Sequence, residues 1–391
     1  MTSLGQVDPR YVPVVRTFRR LVGGRTGGGA LVARVRGETV VDLSIGWADR
    51  ARTRPWTPET VAISFSTTKG VASTIIHRLA DRGLVEYDEP VATYWPEFAA
   101  GGKERVTVRD LMSHRAGLWS VRAIARQAED ILDHELMEER LAARAVHAPT
   151  ERSGYHAITY GWLLAGLARR ITGEGLASLS RTEICEPLGL THGMQIGVPA
   201  EAREFVAQPV GPGLRQADSL GNLLMPIVRR ARPGRATIEA LHIDGFHRLF
   251  EGSEPPIWTT EMPAVNGALS ADALARMYGA LANGGSDDGR VLLSPETTDA
   301  LGRVQVRTPD VVLGLKMRWR LGYHQALGAG REAPRAFGHY GSGGSGGWAD
   351  PDLGLSVGFV TNRVGSATTP LADATLFRLT RVVRQCAAAA A

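Results

Sequence analysis

The sequence predicts an α+β fold, an antiparallel sheet flanked by helices and interrupted by an inserted, mainly helical lobe. Three observations predict it. Strand-like segments gather at the two ends of the 391-residue chain, while the middle shows helical periodicity. The first two strands are joined by a tight turn, which makes the sheet they start antiparallel. The composition, 43% hydrophobic and 22% charged, is that of a globular chain long enough for two lobes. The expected lobes are a discontinuous α/β unit, 1–88 with 300–391, and an inserted unit, 89–299. The cleft between them is the expected place for a small-molecule site.

Residues 10–22 space Tyr11, Val14, Val15, Phe18 and Leu21 as one apolar helix face. Leu31–Val35 and Thr39–Trp47 are rich in β-formers around a turn at Gly37-Glu38. A short apolar piece, Val61–Phe65, precedes a helix over 67–82, where Val71, Ala72, Ile75, Ile76 and Leu79 repeat at helical spacing and Gly83 is the stop. The clearest helices of the middle are VRDLMSHRAGL, ILDHELMEERLAARAV, YGWLLAGLARRITG and SADALARMYGALANGG. The Pro/Gly/Arg-rich VRRARPGRATIEA reads as a surface loop. Strands return at Val312–Gly322, before His339 and at Leu355–Asn362, and an amphipathic helix over 370–383 closes the chain.

Bulk properties exclude several classes. The net charge is +5, but no Lys/Arg block resembles a nucleic-acid arm. No segment has the run of roughly 18 apolar residues that a membrane helix needs. There is no metal-ligand spacing such as H-E-x-x-H, so no metal or other cofactor is expected. The first twenty residues lack a basic start followed by an apolar run, and the two cysteines, Cys185 and Cys386, lie far apart. Both observations predict a cytoplasmic protein.

Chemistry concentrates in SFSTTKG, residues 64–70. Ser66 and Lys69 are three apart, nearly one helical turn, so they share a face. A serine hydroxyl needs a neighbouring base to become a nucleophile. A buried lysine can be that base because desolvation lowers its pKa, whereas arginine stays protonated. Of 45 basic residues only Lys69, Lys103 and Lys316 are lysines. Lys69 therefore stands in a chain that writes almost every other cation as arginine. Tyr155 follows a Ser-Gly turn and precedes an apolar helix, and a phenol beside a lysine can shuttle a proton. Taken by themselves, Ser66 and Lys69 also fit a helix cap with a solvated lysine, and Tyr155 a core aromatic. His114 reads as a loop-fixing hydrogen-bonding residue. Gly341–Gly346 spells G-x-G-x-x-G, but a turn and a strand follow where a dinucleotide site needs a helix, and no carboxylate lies about twenty residues on. His339–Ser342 reads instead as a strand edge whose small residues allow close backbone approach, and Gly343–Gly347 as the turn leaving it.

Together, Ser66-x-x-Lys69, Tyr155-His156-Ala157 and His339-Tyr340-Gly341 resemble, in order and spacing, the three motifs of the serine β-lactamase-like superfamily. The resemblance is to the class C β-lactamase and family VIII carboxylesterase branch, whose motifs read S-x-x-K, Y-x-N or Y-x-S, and K/H-x-G. DLMSHRAGL and GYHAITYGWL also look like segments of that family, and the likeness runs from about residue 12 to 383. It implies a β-lactamase/transpeptidase-like fold. It implies Ser66 as nucleophile, Lys69 and Tyr155 as general acid and base, with the first base left open, and the backbone N–H groups of Ser66 and Ser342 as the oxyanion hole. His339 and Gly341 would border the substrate, with Trp119, Trp348 and His156 as further candidate pocket residues. Ala157 stands where Asn would bond an acylamido group, and His339 where Lys would anchor a carboxylate. Both point to uncharged, short-chain or small esters cleaved through an acyl-Ser66 intermediate. Alternatives are β-lactam or D-Ala peptide hydrolysis, acyl transfer to an alcohol, and a non-catalytic binding member of the fold. The expected partner is a small-molecule ester, not nucleic acid or membrane.

Overall fold

The computed structural model of the chain describes residues 2–23, 26–146, 152–216, 219, 232–365 and 374–391. The chain opens on β1 (Thr2–Val7), a strand that its Gly- and Gln-containing sequence does not announce. After it comes α1 (Val12–Val22), which buries Val14, Phe18, Leu21 and Val22. The hairpin of β2 (Gly28–Val35) and β3 (Glu38–Gly46) turns at Arg36 and Gly37. Both turn residues have positive φ, 51° and 85°, as a two-residue turn matched to strand twist requires.

A short strand, β4 (Ala62–Ile63), leads into α2 (Thr68–Asp81), which stops at Gly83 with φ 72°. Nearly every residue of α2 is buried, so it is the central helix rather than a surface one. The middle of the chain carries the helices Val108–Met112, His134–Ala143 and Thr159–Thr172, with the short strands β5 (Met194–Ile196) and β6 (Gly267–Leu269). A capping box of Thr107 and Asp110 starts the first of these helices, and Gly173 at φ 79° ends the third. β4, β6 and β5 form a small antiparallel sheet. Beyond the helix Ala271–Ala282 and the β7 (Ser286–Asp287)–β8 (Arg290–Val291) hairpin come β9 (His324–Gln325), β10 (Phe337–Tyr340), β11 (Gly346–Asp350) and β12 (Leu355–Thr361). The helix Ala374–Ala390 ends the chain.

The main sheet is antiparallel throughout, in the order β1-β3-β2-β12-β11-β10-β9. Strands from the two chain ends meet at β2 and β12, where Leu31 faces Phe359. Alternation then builds two cores. Leu31, Ala33, Trp348, Val357 and Phe359 face α1 and the C-terminal helix, with Phe18 edge-on to Phe359 at 6.4 Å. Ala30, Val32, Phe337, Ala349 and Val360 face the rest of the molecule. Each such large apolar side chain contributes about 1.5–3 kcal/mol by leaving water.

Four expectations need correction. The helix Ala271–Ala282 falls in the stretch assigned to the inserted lobe, yet it packs on the main sheet: Ser356 Oγ donates to Ala275 O at 2.7 Å. A Cβ on Gly358 would meet Ala271 O at 2.1 Å, so the close approach needs glycine there. The expected strand Val312–Gly322 is irregular backbone that opens on a turn at 311–313. The Asp310 carboxylate captures the N–H groups of Val312 and Leu313 that a ladder would use. The expected loop 228–240 is helical over Arg232–Leu241, because Pro233 is tolerated in a first helical turn; 228–231 lie outside the described residues. Trp348–Asp350, expected in a turn with Gly346 and Gly347, belong to β11. Of the closing helix, 370–373 also lie outside the described residues. Among the described residues, no helix is long and apolar enough to cross a membrane.

Candidate active site

Ser66 lies in a 3-10 turn, Phe65–Thr67, that feeds directly into α2, so Lys69 falls in the first turn of the helix on the same side. From Val61 to His77 it is the one residue not classed as buried. Phe65, just before it, has a φ of 48°, a left-handed conformation that costs a non-glycine residue about 1–3 kcal/mol and concentrates at functional sites. Its ring stacks on Phe250 at 5.6 Å. Thr68 Oγ1 pins the turn, donating to Phe65 O at 2.6 Å and accepting from Gly267 N at 3.0 Å.

Three side chains meet at one oxygen. Lys69 Nζ lies 2.9 Å from Ser66 Oγ, and the Tyr155 hydroxyl lies 2.8 Å from it. Lys69 is fully buried, and among the described residues its other hydrogen bonds go to carbonyls rather than to a carboxylate: Ala157 O at 2.6 Å and Ala264 O at 3.2 Å. Burial holds its pKa well below the ordinary lysine range. A neutral amine has two N–H bonds and one lone pair. The two carbonyls take the two hydrogens, which leaves the lone pair for Ser66. Burial pushes the Tyr155 hydroxyl the other way, well above its ordinary range; its hydrogen bond to Ser66 opposes the shift and the charge of Asp310 adds to it. The site thus sets a proton acceptor and a proton donor on the two sides of one hydroxyl.

The third wall is the β10–β11 hairpin. Gly341 N donates to Ser345 O at 2.8 Å, and Thr67 Oγ1 donates to the same carbonyl at 3.0 Å. This ties the hairpin tip to the turn of Ser66. A Cβ on Gly341 would meet Ser64 O at 2.3 Å, and one on Gly343 would meet the Phe65 ring at 2.7 Å. Ser342 is exposed between buried neighbours, as Ser66 is more open than its own. His339 is buried, stacks 6.4 Å from Tyr155 and meets His324 edge-on at 4.9 Å, and its Nε2 has no hydrogen-bond partner among the described residues. Burial first, then His324 and Lys69, hold it neutral well below the ordinary histidine range.

The structure therefore brings together Ser66, Lys69, Tyr155, His339, Gly341 and Ser342. Trp119 packs against Gly154, beside Tyr155. Two candidates fall elsewhere. Trp348 is fully buried in the core under α1, on the opposite face of the sheet, because it sits one residue out of step with Gly347 and Ala349. His156 is fully buried, and its Nε2 accepts from Leu118 N at 3.0 Å, so it holds a loop rather than lining a pocket. His114 is such a loop-fixing residue too: its Nδ1 accepts from His156 N and its carbonyl from Gly154 N. Sequence reasoning missed Asp310 and Trp319. Asp310 accepts from Tyr155 N at 3.0 Å, and the Trp319 ring lies parallel to that of Tyr155 at 5.4 Å. Neither belongs to a short motif, and both lie more than 150 residues from the tyrosine.

Residues 14–381 match the Beta-lactamase family. The chain is 43% identical, over 99% of its length and 89% of the relative's, to the esterase/beta-lactamase LipL of Mycobacterium tuberculosis. It is 31% identical to the esterase EstB of Burkholderia gladioli over 44% of this chain and 46% of that one. Among solved structures, a penicillin-binding protein homologue from Caulobacter crescentus (34% identity) and a family VIII carboxylesterase (32%) each superpose with a TM-score of 0.84, over 99% of this chain and 100% of theirs.

Proposed function

We propose, from the premise that the chain belongs to the Beta-lactamase family, that this serine hydrolase of carboxylic esters carries its acyl group on Ser66. The observation that carries the reading is the meeting of Lys69 Nζ and the Tyr155 hydroxyl at Ser66 Oγ, at 2.9 and 2.8 Å, with the lysine stripped of water and of any carboxylate partner among the described residues. Lys69 takes the Ser66 proton as the oxygen attacks the ester carbonyl. The backbone N–H groups of Ser66 and Ser342 receive the oxyanion; such donors are worth several kcal/mol when aimed at developing charge. Tyr155, kept protonated, donates to the alcohol oxygen as the C–O bond breaks, and the proton held by Lys69 then restores the phenol. Water enters by the same route in reverse and frees the acid. The neutral imidazole of His339, with Nε2 unpartnered among the described residues, suits an uncharged ester better than a carboxylate. The substrate class is therefore small or short-chain esters. The two cysteines, Cys185 and Cys386, are free thiols, which favours a reducing, cytoplasmic setting.

A second reading, β-lactam hydrolysis through the same acyl-enzyme, is favoured by the double name of the LipL relative. Ala157 and His339 weigh against it, and parallel assays with nitrocefin and p-nitrophenyl butyrate rank the two. The primary test is a stopped-flow burst of p-nitrophenol. Wild type should show one equivalent per site and Ser66→Ala none; an undiminished burst in that variant refutes the assignment.

A further inference from the structure

Asp310 is buried, 1% exposed, and among the described residues it accepts only from N–H groups rather than pairing with a cation. Its Oδ1 accepts the backbone N–H groups of Tyr155 at 3.0 Å, Val312 at 2.9 Å and Leu313 at 3.1 Å. Its Oδ2 accepts the indole N–H of Trp319 at 2.9 Å. A carboxylate this deep is costly unless its lone pairs are filled, and here four donors fill them. The Trp319 ring in turn lies against Tyr155, 14° from parallel. His114 closes the remaining side, 5.1 Å from the Tyr155 ring and 4.3 Å from that of Trp319.

We propose that Asp310 is the positioning residue for Tyr155, fixing its main chain directly and the plane of its ring through Trp319, and so setting where the phenol proton meets the leaving alcohol. The inference rests on Tyr155 being the proton donor. Loop capping alone would need only the backbone bonds at Oδ1. The bond to Trp319 adds nothing to the loop's own hydrogen bonds, but it locks the ring on which Tyr155 lies. A displacement of about 1 Å at such a group costs on the order of 100-fold in rate.

The test uses two esters with one acyl group. Ethyl butyrate releases an alkoxide that must be protonated, whereas p-nitrophenyl butyrate releases a stable anion that need not be. kcat/KM reports acylation for both, and a melting curve verifies that each variant is folded. In Asp310→Asn the amide faces the Trp319 N–H with a second donor, while Oδ1 keeps its backbone partners. It should lose on the order of 100-fold on the ethyl ester and at least about fivefold less on the aryl ester. Trp319→Phe keeps the stacked ring but not the N–H, and should show the same selective loss at smaller size; it decides the matter if Asp310→Asn does not fold. Equal losses on both esters, or none, overturn the proposal. Tyr155→Phe separates the two levels. If that variant also loses both esters equally, Tyr155 is not the acid; if it alone is selective, only the role of Asp310 falls.

Discussion

At the scale of single residues, the proposed chemistry turns on Lys69 having no counter-ion among the described residues. Its ammonium would be held by two backbone carbonyls and a hydroxyl in a dry interior, and the neutral amine is the form such a place tolerates. Arginine cannot lose its proton there. Lys69→Arg places a permanent cation there and should lower kcat/KM by at least about 1,000-fold. Steady-state rates on a p-nitrophenyl ester, with a melting curve beside them, check this; near-native activity would remove Lys69 as the base. Ser66, Lys69 and Tyr155 were legible because a short spacing and a rare residue type carry them. Asp310 was not, because its partners are brought to it only by the fold. Trp348 was misread for a related reason: an aromatic next to a motif is placed by strand alternation, and the sequence of a glycine-rich hairpin does not show where the strand begins.

At the scale of elements, the proposed active site is a contact between two tight pieces of backbone, the turn before α2 and the β10–β11 hairpin. Gly341 lets them touch, since any Cβ there would press on Ser64 O. Gly341→Ala should push the hairpin away from Ser66, lowering kcat/KM on the order of 100-fold and stability by about 1–3 kcal/mol. Assay and chemical denaturation measure both; an active, fully stable variant would show that the hairpin does not complete the site. Elements with a strong period were legible, including α1, α2, the 159–172 helix and the β2–β3 hairpin. Those shaped by side-chain capture were not. The 312–322 segment reads as β-forming, but the Asp310 side chain takes the N–H groups of Val312 and Leu313 and turns the chain at its start.

At the scale of the whole molecule, the interior holds imidazoles that the fold keeps neutral. Burial lowers His77 and His324 to about 4, and it holds His114 and His339 well below the usual range. The unfolded chain binds protons at these groups near pH 6.5 and the folded chain does not, so stability falls as pH drops from 6.5 toward 4. Each of His77 and His324 removes up to about 3 kcal/mol over that window. Melting temperature measured from pH 7 to pH 4 should fall steeply, and less steeply in His77→Gln; a flat curve would mean that these histidines are not held neutral. The α+β class, with its antiparallel sheet, was legible from the two ends of the chain. The limits of the lobes were less so, because the 271–282 helix carries an ordinary amphipathic pattern, and nothing in that pattern says that its apolar face meets the sheet.

The central assignment is that Ser66 carries the acyl group, and mass reads this directly. The protein, mixed with a slowly hydrolysed ester and quenched within the first turnovers, should gain the mass of one acyl group. Peptide mapping should place it on Ser66, and Ser66→Ala should gain nothing. An adduct on another residue, or turnover with no adduct while the product accumulates, would contradict it.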